Sequence, residues 1–179
     1  MPKQSLRDVL NEATMELHQQ LEALWTPSGG FASEATYKAF LSALLDVHIQ
    51  MGRPSAEARD DKLAIEQEDD RISALRDDLN GSAHPSPTAR TDIGSDYAWG
   101  VGYVLNGSSL GASILLKTDS LGVGWPRQYL GLGRDYVRAG HLKRFFDGMN
   151  VASVNPIEVH RGAMETFCAL KTQAQGAKG

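Results

Sequence analysis

The stretch from Tyr97 to Lys117, YAWGVGYVLNGSSLGASILLK, is apolar at helical spacing yet carries Gly100, Gly102, Gly107 and Gly111. Each glycine inside a helix costs about 1 kcal/mol relative to alanine, and Asn106, Ser108 and Ser109 lower the propensity further. Such a segment forms a helix only where bare backbone gains something in return. Gly107 and Gly111 lie one turn apart and share a face with Tyr103, which leaves a strip of backbone beside a phenol. The strip admits either a second helix at close range or a flat ligand lying on the backbone. Packing needs only two glycines, whereas Gly107-Ser108-Ser109-Leu110-Gly111 has the flexibility of a helix that bends at Gly/Ser pairs, which favours a ligand.

The remaining patterning is helical as well. Leu6, Leu10, Ala13, Leu17, Leu21 and Leu24 mark one amphipathic helix over 5–24, with Ser5 as its cap and Asp8 in its first turn. A break at 26–30 precedes a second helix that starts at Ser33 and Glu34, carries Tyr37 to Met51, and is expected to end at Gly52, Arg53 and Pro54. The charge-rich segment 55–79, with the acidic cluster Glu66, Glu68, Asp69 and Asp70, reads as one or two solvent-washed helices over a sparse apolar face. Residues 80–87 form a loop by composition, and a Gly-rich connector surrounds Gly122, Gly124, Trp125 and Pro126. Two further helices are expected, one near 135–150 and one from Pro156 to about Gln173, and 175–179 should fray. No alternating β pattern is long enough for a sheet. The expected fold is all-α, in one domain spanning 1–179.

Composition narrows the function classes. The chain is mildly acidic, with 18 Lys+Arg against 22 Asp+Glu, which argues against a nucleic-acid binder. No apolar run has the length of a membrane span, and the N-terminal residues lack the apolar core of a signal peptide, so a cytoplasmic protein is the default expectation. The single Cys168 excludes an intrachain disulfide and a Cys-based metal cage, and reads as a buried, unreactive residue. No Glu-x-x-His unit is present for a di-iron carboxylate bundle, and no strand precedes the glycines as a nucleotide-binding loop requires.

His18 lies at the edge of the first apolar stripe, sharing its face with Thr14, Leu21 and Trp25. It reads either as a satisfied structural histidine or as the single nitrogen that a haem iron needs. His48 reads as structural, near the end of its helix; His84, His141 and His160 read as exposed.

Ala13, Thr14 and His18 together with YVLNGSSLGASILLK (Tyr103 to Lys117) resemble the haem oxygenases, especially their short bacterial, biliverdin-producing branch. The resemblance extends more loosely to 33–48, to DDRISALRDDL (Asp69 to Leu79), and to Arg144 through Phe167. It implies an all-helical fold with haem between a proximal helix at 5–24 and a kinked distal helix at about 97–117. It also implies His18 as iron ligand, with Gly107 and Gly111 over the haem. Tyr103 would meet a propionate, and Phe167 and Thr14 would line the pocket. Haem is then both cofactor and substrate, cleaved with O2 and external electrons to biliverdin, carbon monoxide and ferrous iron.

This chain departs from the pattern at Asn106, where close bacterial relatives often carry Glu, and at Asn11, where the family often has a basic residue. Arg7, Lys143 or Arg144 would then serve the propionates. The same fold without efficient turnover, as a haem- or bilin-binding protein, is the alternative that these departures motivate. Electrons would come from a ferredoxin or a reductase, for which Arg127, Arg134, Arg138, Lys143 and Arg144 offer a basic patch. Iron acquisition, haem detoxification and biliverdin supply to a bilin acceptor such as a phytochrome-type photoreceptor would all need the same fold and the same first steps.

Overall fold

The computed structural model describes residues 4–27, 29–81, 87–118 and 120–176. Their regular structure is helical: α1 (Leu6–Trp25), α2 (Glu34–Val47), a π-helical turn (His48–Gly52), α3 (Arg53–Ala58), α4 (Lys62–Asp78), α5 (Ser95–Leu115), α6 (Gln128–Arg138), α7 (His141–Val151) and α8 (Pro156–Gly176). The all-α expectation holds. Local signals set most of the boundaries. Ser5, Ser33 and Asp61 each accept a hydrogen bond from the backbone N–H three residues on, capping α1, α2 and α4. His84 and the last three residues, on which expectations were stated above, lie outside the described residues.

α5 is the central element. It packs on α8 along one side and on α6, α3 and α7 around the others, while α1 rests mainly on α8, with contacts to α7 and α2. Tyr37, Leu41, Val47, Leu75, Val101, Leu105, Leu130, Met149 and Val159 form the fully buried centre between these helices.

Glycine divides into two kinds along this scaffold. A Cβ at Gly100 would stand 1.9 Å from the Val159 carbonyl oxygen, and one at Gly162 would stand 2.1 Å from the Tyr97 oxygen. These two let the backbones of α5 and α8 approach as closely as small residues permit, so tight helix packing is the correct reading for Gly100. At Gly107 and Gly111 a Cβ would meet nothing within 4 Å.

Three expectations are corrected. The helix after Ser33 does not end at Gly52; it widens into the π turn and continues as α3, and the Gln50 carbonyl four residues before Pro54 accepts instead from the Arg90 N–H at 3.0 Å. The single helix expected near 135–150 is two, because Gly140 adopts φ +77° and turns the chain between α6 and α7. The helical structure expected from about 135 begins at Gln128, so Gly131 and Gly133 belong to α6. There Gly133 lets α6 close on α5, since its Cβ would stand 3.2 Å from Ser109 Cα. No helix among the described residues is long and apolar enough to cross a membrane.

Candidate functional site

The exposed face of α5 carries Tyr103, Gly107, Leu110, Gly111 and Ile114 at i, i+3 and i+4 spacing. Leu110 is 43% and Ile114 54% exposed, so apolar side chains flank the bare backbone. Phe146 of α7 joins this face to α1: Tyr103 meets its ring edge-on at 6.1 Å between centroids, and the Arg7 guanidinium sits 4.3 Å from its centre. Arg7 and the Tyr103 phenol therefore gather at one end of the space beside α1 and α5.

On α1, His18 is 59% exposed, and its ring meets Phe167 of α8 in a T-shaped contact at 6.2 Å. Its Nδ1 faces Glu22 Oε1 at 3.6 Å, which is beyond hydrogen-bond range. Thr14, one turn before it, is buried and donates to the Leu10 carbonyl at 2.8 Å. Among the described residues no three His, Cys, Asp or Glu side chains gather as a metal-ligand set. A metal at His18 would thus need its other ligands from a prosthetic group.

These features fit a haem. Gly107 and Gly111 leave backbone open, His18 presents an exposed imidazole on α1, and Arg7 and Tyr103 both pack on Phe146, which are the kinds of group that a flat macrocycle with one imidazole ligand and peripheral carboxylates would need. Leu110 and Ile114 on α5 and Phe167 beside His18 add apolar surface.

Behind the strip lies a buried polar network that sequence reasoning missed. Glu68, placed above in a solvent-washed cluster, is 5% exposed and holds His48 Nδ1 at 2.6 Å through Oε2 and Arg71 Nη1 at 2.5 Å through Oε1. Burial alone would raise its pKa; His48 and Arg71 outweigh that and hold it down at about 2. Gly52 is required here, because a Cβ would come 2.3 Å from Glu68 Oε2. Arg71 Nη2 donates to Asn106 Oδ1 at 3.1 Å and to Ser109 Oγ at 3.2 Å, and Asn106 Nδ2 donates to the Gly102 carbonyl at 2.9 Å. Asn106 is thus occupied inside the fold and does not lie on the strip.

His48 Nε2 lies 3.1 Å from the Tyr129 hydroxyl, which lies 3.0 Å from Ser108 Oγ, which donates to the Leu105 carbonyl at 2.6 Å. Glu68 is ionised, so His48 Nδ1 carries a proton. If His48 also donates from Nε2, then Tyr129 donates to Ser108 and Ser108 donates to Leu105, and every contact has one proton. With Nε2 bare, Tyr129 must turn to His48, and Ser108 cannot serve both Leu105 and Tyr129. With Nε2 as a donor the three contacts from His48 to the Leu105 carbonyl each have a proton, and with Nε2 bare one of them is left open. Tyr129 is placed for this by Asp78, whose buried carboxylate accepts from the backbone N–H of Gln128 and of Tyr129, each at 2.9 Å, at the start of α6.

The other candidates scatter. Lys143 pairs with Asp147 on an exposed face, and Arg144 lines a separate cleft beside Trp99 and Phe145. Arg134, in the expected basic patch, pairs with Asp135 at 2.9 Å. Cys168 is exposed and not buried as expected, because Ala163, Phe167, Leu170 and Ala174 take the inner face of α8. His141, expected exposed, is half-buried, with Nδ1 2.7 Å from Gln67 Nε2, whereas His160 is exposed as expected.

A crystal structure of the haem oxygenase from Neisseria meningitidis, with NO and CO bound, matches over 98% of this chain and 92% of that one, with a TM-score of 0.62 and 17% sequence identity. No protein-family model and no curated protein matches the sequence. At that identity the likeness shows the fold, and the fold of this chain is the all-helical fold of a haem oxygenase.

Proposed function

We propose that the chain is a haem oxygenase, which cleaves haem to biliverdin, carbon monoxide and ferrous iron with O2 and electrons from a ferredoxin or reductase. The observation that carries the reading is the contrast among the helical glycines: Gly100 is filled by α8, whereas Gly107 and Gly111 face open space. Packing accounts for the first and a ligand for the other two. The shared fold of the Neisseria enzyme supports the same reading.

His18 would hold the iron, with Glu22 Oε1 standing 3.6 Å from its Nδ1 one helical turn on. Arg7 and Tyr103, both packed on Phe146, would receive the propionates. When bound, haem supplies the oxygen chemistry; the protein supplies orientation and protons. His48, Tyr129 and Ser108 form a continuous hydrogen-bonded path behind the strip: a proton passed from His48 Nε2 to Tyr129, from Tyr129 to Ser108, and from the Ser108 hydroxyl to a water at the strip would leave each hydroxyl with one proton and His48 with one fewer. Glu68 and Arg71 hold the imidazole in line for its next proton.

Titration of the purified protein with hemin, followed by reductant under air, tests the reading. The expected result is a one-to-one Soret complex that decays to a biliverdin band, and that His18→Ala and Gly111→Leu fail to form. A stable complex without turnover supports the haem-binding alternative. If both variants bind hemin like the parent, the site is wrong.

A further inference from the structure

A cleft of about 160 Å³ opens among α3, α4, α5 and α7, lined by Gly102 and Leu105 on the face of α5 opposite Gly107. Trp99 and Phe145, with ring centroids 5.3 Å apart, form an aromatic wall. Arg59 lies against that wall, with its guanidinium carbon 5.2 Å and 5.4 Å from the two ring centres. Its Nη1 donates to the Ala98 carbonyl at 2.9 Å, but its buried Nε meets no acceptor, and it makes no ion pair among the described residues. One turn earlier, the buried Ser55 hydroxyl also has no partner. A guanidinium withdrawn from water without a carboxylate is costly, and burial pushes its pKa down.

The acids that line the cleft are already committed. Asp61 caps α4 through the Ala64 N–H at 3.0 Å, and Glu68 is shared by His48 and Arg71. Gly102 leaves room for the wall, since its Cβ would stand 2.8 Å from Arg59 Nη1 and 2.7 Å from the Phe145 ring. Arg144 stands exposed at the rim. The cleft therefore has an aromatic surface, one half-buried cation that makes no ion pair among the described residues, and a second cation at the entrance. Cavities of about 150 Å³ admit benzene, so a single ring fits.

We propose that this cleft binds a small organic monocarboxylate, with its carboxylate on Arg59 and its apolar body against Trp99 and Phe145. A dianion such as phosphate is disfavoured by Asp61 and Glu68 on the same walls. The site is separate from the glycine strip and independent of haem.

The test uses the full-length apo-protein and benzoate as probe, with benzyl alcohol and inorganic phosphate as controls. Binding is followed by NMR at the Trp99 indole N–H and the Arg59 Nε–H. Benzoate is expected to shift both signals saturably, with the two controls at least about tenfold weaker and Arg59→Gln lowering benzoate affinity at least about tenfold. Arg144→Ala, an exposed change that leaves the fold intact, is expected to weaken benzoate about threefold and serves if Arg59→Gln does not fold. Absence of shifts at Trp99 and Arg59, or benzyl alcohol or phosphate binding as well as benzoate, overturns the proposal. So does unchanged benzoate affinity in the variants.

Discussion

Replacing glycine by alanine at four places in the same helical framework should change stability with opposite signs. At Gly107 and Gly111 the new methyl meets nothing within 4 Å. Only the helix propensity changes there, so each apo-protein variant gains about 0.5–1 kcal/mol. For a chain of this size, about 1 kcal/mol raises Tm by roughly 2–4 °C. At Gly100 the methyl would lie 1.9 Å from Val159 O and 2.6 Å from Ala163 N, and at Gly162 it would lie 2.1 Å from Tyr97 O. Backbone atoms cannot turn aside as side chains do, so the helices must separate. Overpacking of that severity costs about 3 kcal/mol or more, which lowers Tm by at least about 6 °C. Far-UV circular dichroism melts of the four apo variants give the comparison. With hemin at saturation the order should partly invert, since Gly107→Ala and Gly111→Ala fill the space the ligand needs and lose ligand-linked stabilisation. If Gly107→Ala or Gly111→Ala destabilises the apo-protein, the strip is packed and the ligand argument fails. Tolerance of Gly100→Ala would refute the close α5–α8 contact.

Further outcomes follow from the same geometry. His18→Ala should shift apo stability by less than about 0.5 kcal/mol, because the ring is largely exposed, while abolishing the ferric Soret complex. Glu68 titrates near 2 in the fold against 4.5 ordinarily, so its stabilising contribution is complete above about pH 4.5 and is lost as pH falls toward 2. Glu68→Gln should flatten the acid limb of urea-unfolding stability over that range and cost about 3–5 kcal/mol at neutral pH, because Arg71 is left buried without its anion. An unchanged acid limb would contradict the ion pair. Tyr129→Phe should cost about 1–3 kcal/mol through the orphaned His48 and Ser108 groups. It should keep hemin affinity and slow turnover, with the deficit smaller at low pH, where solvent supplies protons. Equal turnover in Tyr129→Phe and parent would remove the relay.

What could be read in advance was whatever depends on neighbours in the chain. The caps at Ser5 and Ser33, the stripes of α1 and α8 and the cost of helical glycine are local, so α1, α2, α5 and α8 were legible. The strip face itself was legible too, since Tyr103, Gly107 and Gly111 share a side of any helix. Which glycines are open is a different matter: Gly100 and Gly107 look alike in the sequence, and only the position of Val159 separates them.

The buried charges show the same division. Glu68 within Glu66, Glu68, Asp69 and Asp70 carries every local sign of a solvated residue, and becomes internal because His48 and Arg71 meet it there. Its partners lie 20 residues away and on the next turn, and Tyr129 joins from 81 residues away from His48. A clue was present in Arg71, three residues after Glu68 on one helix face, but such pairs are usually exposed and weak. The sequence alone thus determined that the chain is helical and where backbone is left bare, because propensity and periodicity act over a few residues. Only tertiary structure decided which bare backbone is covered and which charges are buried, because hydrogen bonding and desolvation depend on groups that the fold brings together from distant parts of the chain.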